Sequence, residues 1–229
     1  MPSSKTPNIF SSLSVLPEGL LADFFKDATG LNLRAGEVLF RAGDAGDGCY
    51  RIATGLVKVV VASKQGEERI ISLLGPGAIV GELSMIDGEP RAASVVAVAD
   101  TALSFVSRAK FQKHAEADPG LMNYLVTTLT GRLREANEML AASTFLSVKG
   151  RLARALLSLA EYIGEERDGR IELRHRISQG DLAAMAGIAR ENVSRTMSEW
   201  RTRNVVTRAS EYYCINDPNA LAEEAEAGG

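Results

Sequence analysis

Residues 81–94 read GELSMIDGEPRAAS. A carboxylate, Glu82, and a guanidinium, Arg91, stand on either side of an Asp87-Gly88-Glu89-Pro90 turn, and two small residues, Ala92 and Ala93, follow the arginine directly. Opposite charges beside small side chains suit a small polar ligand. On their own they would serve equally well as a surface turn with a solvated ion pair, so the flanking sequence has to decide.

Upstream and around the stretch, residues 31–107 consist of short apolar runs: VLF, GLVKVVV, RIISLL, AIVGEL, ASVVAV and ALSFV. They are separated by AGDAGDG, KQGEE, GPG and DGEP. Short strands with regular turn signals predict an antiparallel β-roll. Downstream, glycines thin out. Residues 109–116 suggest a short helix, and a long helical pattern runs from Asp118, a candidate N-cap, to about Phe145, with Pro119 at its first position. Leu129, Leu133, Ala136 and Leu140 are spaced 4, 3, 4, the a/d seam of a coiled coil. A helix of about 28 residues is roughly 42 Å long, more than one small domain needs, and the seam favours pairing with a second copy. Upstream of the roll, helical spacing is also expected over residues 17–28.

Ser147 reads as a fresh N-cap for SVKGRLARALLSLAEYIG, with Leu152, Leu156, Leu159 and Ile163 on its apolar face. A hinge is expected at 145–147 and a short hairpin over 167–177. Residues 178–206 read SQGDLAAMAGIARENVSRTMSEWRTRNVV. Leu182, Ala183 and Met185 would bury a first helix, Gly187 would make the turn, Ile188 would fill the gap, and Val193 and Met197 would bury a second helix. That leaves Arg190, Glu191, Ser194 and Arg195 facing outward near the second helix's start. Arginine can pair with guanine O6 and N7, and a carboxylate can accept from cytosine N4. The unit is therefore expected to read DNA in the major groove, with Arg176, Ser178 and Asn192 on phosphates. NVVTRASEYYCIND reads as a two-stranded wing, and 219–229 as a frayed helix or a disordered tail.

Composition supports these assignments. The 229 residues suffice for two domains, and 24% are charged, as in ordinary globular chains. Net charge is −3, yet eight arginines against four acids leave the 170–208 segment at +4, a localised basic surface suited to an anionic partner. No apolar run approaches the roughly 20 residues of a membrane span. MPSSKTPNIF has no basic segment followed by an apolar one, so a cytoplasmic location is expected and no membrane partner. The two cysteines, Cys49 and Cys214, are too few for a four-cysteine metal site and read as half-buried apolar thiols. His114 and His175 read as surface histidines. No metal is expected.

In this order, the β-roll, GEL…PRAAS, seam helix and helix-turn-helix resemble the cyclic AMP receptor protein (Crp/Fnr) family of bacterial transcription factors, over about residues 35–215. IVGELSMIDGEPRAASVVA is similar to the phosphate-binding cassette of cyclic-nucleotide-binding domains. The resemblance implies an α+β fold: an N-terminal antiparallel β-roll that binds the nucleotide (1–116), a long dimerisation helix with its hinge (117–146), and a C-terminal winged helix-turn-helix (147–229). It implies no enzyme. Gly81, Glu82 and Leu83 would line the ribose, with Glu82 accepting from the 2′-hydroxyl. Arg91 would pair with the cyclic phosphate, and the amides near Ala92 and Ala93 would complete the cradle. Arg132 falls where the family has an arginine that pairs with the cassette glutamate. Arg190, Glu191 and Arg195 would read a TGTGA-like half-site of a palindromic operator, bound by a homodimer that also meets RNA polymerase.

Two positions depart from the family's best-known receptor. Its serine after the cassette arginine is Ala92 here, as in the cyclic-AMP-binding kinase regulatory subunits. Its Thr-Ser pair facing adenine is Ala136-Asn137. Asn137 can donate and accept, so cyclic AMP is favoured and cyclic GMP stays open. Three rivals follow. A regulator of the same fold would be constitutive or answer another signal, and a nucleotide sensor of another class would act on a partner protein. An enzyme on a cupin-like roll would need clustered ligands, but residues 31–107 contain no histidine.

Overall fold

A computed structural model describes residues 24–226. Most of the helix expected over 17–28 lies outside the described residues; at its end Phe24 and Phe25 are buried. Among the described residues the chain forms two compact units, 24–67 with 71–134, and 68–70 with 135–226.

The first unit is built on β1 (Thr29–Leu33), β2 (Val38–Phe40), β3 (Gly48–Thr54), β4 (Val57–Ala62), β5 (Glu68–Leu74), β6 (Ile79–Val80), helix α1 (Glu82–Asp87), β7 (Ser94–Ala97) and β8 (Thr101–Ser107). Two four-stranded sheets result, ordered β1-β8-β3-β6 and β2-β7-β4-β5, with β1–β8, β3–β8, β3–β6, β2–β7 and β4–β7 paired antiparallel. Ile52, Val57, Leu74, Val80, Val95 and Leu103 fill the interior of the roll. A second cluster, with Cys49, Ile79, Met85, Val106, Phe111, Leu121 and Leu125, packs α2 (Arg108–Ala117) and the first turns of α3 (Pro119–Phe145) beside α1. The cassette is thus bedded on core.

Helix α3 begins as expected: Asp118 Oδ1 accepts from the Gly120 amide at 2.7 Å. α4 (Val148–Ile163) begins at Ser147, whose hydroxyl accepts from the Gly150 amide at 3.0 Å. Then come β9 (Gly164–Arg167), β10 (Arg170–Leu173), α5 (Gln179–Ala186), α6 (Arg190–Thr202), β11 (Val206–Ala209), β12 (Tyr212–Ile215) and α7 (Pro218–Glu226). Leu152, Leu156 and Leu159 of α4 are fully buried, with Trp200 of α6 and Leu221 of α7.

Several expectations need correction. AIVGEL is not a strand throughout: the strand is Ile79–Val80, and beyond Gly81 the chain coils into α1. The hairpin expected over 167–177 starts at Gly164 and turns at Asp168-Gly169, both at positive φ. The wing is part of a four-stranded sheet, β11-β12-β10-β9, because β10 pairs with β12. The tail is not frayed up to Glu226, since Leu221 is fully buried. Both cysteines are buried rather than half-buried, and both histidines are half-buried rather than on the surface. Among the described residues no helix is long and apolar enough to cross a membrane, and no group of three or more ligating side chains can hold a metal ion.

Candidate functional site

Gly81 ends β6 in the left-handed region, at φ 82°. A side chain there would be strained, and a Cβ would lie 2.6 Å from Arg91 Nη1. The glycine lets the chain turn sharply into α1, whose first residue is Glu82. Arg91 arrives from the far side of the turn. Its main chain is tied to the 41–47 segment, its N–H donating to Asp44 O at 2.9 Å and its carbonyl accepting from Gly43 N at 2.8 Å.

Glu82 and Arg91 are both buried, at 2% and 4% exposure. A charge is tolerated there only when it is paired or hydrogen-bonded. Arg91 Nη1 donates to the carbonyls of Gly48 (2.8 Å) and Gly81 (2.7 Å). Its guanidinium lies over the Phe40 ring, 4.3 Å from the centroid. Nη2 is 3.9 Å from the exposed Asp47 carboxylate. Glu82 Oε1 is paired with Arg132 Nη1 of α3, and Arg132 Nη2 donates to Ile79 O at 2.6 Å. Glu82 Oε2 and Arg91 Nε are buried without a hydrogen-bond partner. Under the site, burial, reinforced by Glu82 and opposed by Arg91, pushes the Cys49 thiol up to about 12, so it stays protonated and inert.

The two opposite charges of 81–94 are therefore not partners of one another. Gly81, Glu82, Arg91 and Arg132 come together; Leu83, Ala92 and Ala93 flank them, with Leu83 and Ala92 exposed. Ala136 and Asn137 are on exposed positions of α3. Sequence reasoning missed Phe40, Asp47 and Gly48. The one available signal is the doubled aspartate in AGDAGDG, a stretch that also reads as a strand break.

In the second unit, Ser178 and Asp181 form a capping box: the Asp181 amide donates to the Ser178 hydroxyl at 3.0 Å, and the Ser178 amide donates to Asp181 Oδ2 at 3.1 Å. Gly187, at φ 59°, makes the tight turn before α6. Val193, Thr196, Met197 and Trp200 bury one face of α6, leaving Arg190, Glu191, Ser194 and Arg195 exposed on the other. Asn192 Oδ1 accepts from Arg195 Nη2 at 2.7 Å. Arg176 is exposed and paired with Glu211 of the wing turn. Toward its C-terminal end, α6 is tethered by Lys149–Glu199 (2.6 Å) and by Arg203–Glu224 (2.9 Å).

Residues 31–118 match the cyclic nucleotide-binding domain, and residues 150–224 match the Crp-like helix-turn-helix domain. The cyclic AMP receptor protein of Thermus thermophilus is 36% identical over 171 residues, 75% of this chain and 76% of that protein. A CRP-like cAMP-activated global transcriptional regulator of Mycobacterium tuberculosis is 28% identical over 205 residues, 90% of this chain and 92% of the relative. The crystal structure of a CRP/FNR-family transcriptional regulator of T. thermophilus superposes with a TM-score of 0.74 at 27% identity, covering 88% of this chain and all of that one (100%).

Proposed function

Because the chain belongs to the Crp/Fnr family of transcription regulators, with a cyclic-nucleotide-binding domain and a Crp-like helix-turn-helix, we propose that it is a homodimer whose binding to a palindromic, TGTGA-like operator is switched on by a 3′,5′-cyclic nucleotide. Cyclic AMP is the favoured ligand, as in the cAMP-activated relatives. The observation that carries this reading is the pair of buried, oppositely charged groups that each keep an orphan atom: Oε2 on Glu82 and Nε on Arg91. Such atoms are costly without a partner. A ribose hydroxyl can donate to the first, and a cyclic phosphate can accept from the second. Gly81 and Leu83 would flank the ribose, and the Ala92 and Ala93 amides the phosphate.

Control would run through α3. Arg132 already joins that helix to Glu82, so a ligand at the carboxylate bears on the helix that also carries Ala136 and Asn137, the proposed contacts to the base. Two sites coupled through such an element must affect one another reciprocally. On α6, Arg190, Glu191, Ser194 and Arg195 would face the major groove, with Asn192, Ser178 and Arg176 near phosphates, and the DNA-bound dimer would meet RNA polymerase.

Calorimetric titration with cyclic AMP and cyclic GMP, with and without an operator-like duplex, tests this reading. The expected result is binding that tightens when duplex is present, and a loss of affinity in Arg91→Gln by about 10- to 100-fold, the worth of a charge-assisted contact. Unaltered affinity in that variant would remove the phosphate role from Arg91.

A further inference from the structure

Two acidic groups, Asp181 and Glu211, lie beside residues proposed above to meet DNA phosphates, and both are held by internal donors. Asp181 is taken up by the Ser178 cap. Glu211 is the acidic residue of the wing hairpin 206–215, which has no other. It follows Ser210, whose left-handed φ of 56° makes the hairpin turn. Its carboxylate is bound to Arg176 Nη2, three residues beyond the end of β10. The pair spans the gap between the wing and the lead-in to α5. In a helix-turn-helix the first helix crosses the DNA backbone, so a cation here is suited to a phosphate. Arg176 keeps 63% of its side chain exposed and Glu211 46%, so the pair is open to solvent and to an incoming anion.

We propose that Glu211 is an internal stand-in for a DNA phosphate: it holds Arg176 while the protein is free, yields it to the DNA backbone on binding, and so lowers the sequence-independent share of affinity. This rests on the DNA-binding reading above and adds to it a device that tunes affinity for every duplex. The energetics favour a competitor over a rigid strap. An exposed ion pair contributes little to stability. A phosphate contact releases condensed counterions, and each contact adds about 0.9 to the slope of log affinity against log salt. Making that contact at the cost of a carboxylate gives part of the gain back. The loss falls equally on all sequences, so it lowers absolute affinity and leaves the choice between sequences to the base-reading face of α6.

The test measures binding to an operator-like duplex and to a scrambled duplex across a salt series. Four full-length proteins are compared: wild type, Glu211→Gln, Arg176→Gln and the double variant, with thermal melts to verify folding. Glu211→Gln is expected to tighten binding to both duplexes by about two- to fivefold, the range of an exposed pair. Arg176→Gln should flatten the salt slope by about 0.9, and the double variant should lose the gain. If Glu211→Gln weakens binding, or tightens it equally when Arg176 is absent, the pair is a strap or a generic charge effect and the proposal is overturned. If none of the four proteins binds duplex in a salt-sensitive way, the DNA-binding reading itself falls, and this proposal with it.

Discussion

At the scale of single residues, the cassette shows why buried charge must be argued by partner. Glu82 is almost wholly enclosed, and Arg132 supplies its cation. Removing one member of such a pair strands the other, whereas replacing both can be nearly neutral. Arg132→Met should therefore lower unfolding free energy by about 3 kcal/mol in urea titration, and adding Glu82→Gln should restore most of that loss. A double variant no more stable than the single would show that the carboxylate has another stabilising partner. His175 gives a second residue-scale prediction. Burial, with Arg174 beside it, holds its imidazole below the ordinary 6.5, so the unfolded chain takes up this proton first. The stability it contributes is full above pH 6.5 and is lost as pH falls through the lower folded-state value. His175→Gln should flatten the stability–pH curve in that window, as read from thermal melts. Glu82 and Arg91 stand out in the sequence because charge lies beside glycine or alanine; Arg132 is marked only by the family resemblance, and Arg190 by the outward face of a helical pattern. Gly48 and Phe40, more than forty positions from Arg91, do not stand out: a backbone carbonyl and an ordinary core aromatic leave no mark on the chain.

At the scale of elements, capping and periodicity carried most of the reading. Ser147 caps α4 as expected, and Ser147→Ala should cost about 1 kcal/mol in urea unfolding, with little change expected in nucleotide binding. An unchanged midpoint would mean that packing alone fixes the start of this helix. β3 was invisible by the same logic. Its buried Cys49 and Ile52 are three apart, with Tyr50 and Arg51 between them, and its register slips at Ile52/Thr54. A two-residue alternation never forms, although β3 bridges β8 and β6. The α7 tail misled for a different reason. Its composition is acidic, but one leucine, Leu221, is fully buried, and Arg203 accounts for the charge of Glu224. Trp200 keeps helical spacing with Val193 and Met197 and completes the buried face of α6.

For the whole molecule, the decisive feature is a stripe on α3 that the single chain leaves uncovered. Leu121, Tyr124 and Leu125 are buried, but Met122, Val126, Leu133 and Leu140 are exposed, the last two at 62% and 67%. With the half-buried Leu129 and with Ala136 they run 122, 126, 129, 133, 136, 140, extending the seam by two further positions toward the helix start. A heptad stripe of this length matches a second copy of itself, and covering each large side chain would contribute about 1.5–3 kcal/mol. A twofold pair is also what the proposed palindromic operator would require, with half-sites about one helical turn of DNA apart. Replacing Leu133 and Leu140 together by glutamate would set carboxylates against their symmetry mates across the seam. Sedimentation equilibrium should then show a dimer in the wild type and a monomer in the double variant. Binding to a palindromic duplex should drop to that of a single half-site, while cyclic nucleotide binding at Glu82 and Arg91 persists more weakly or unchanged. A double variant that sediments as a dimer would move the interface away from α3, and with it the route by which nucleotide could set the spacing of the two recognition helices.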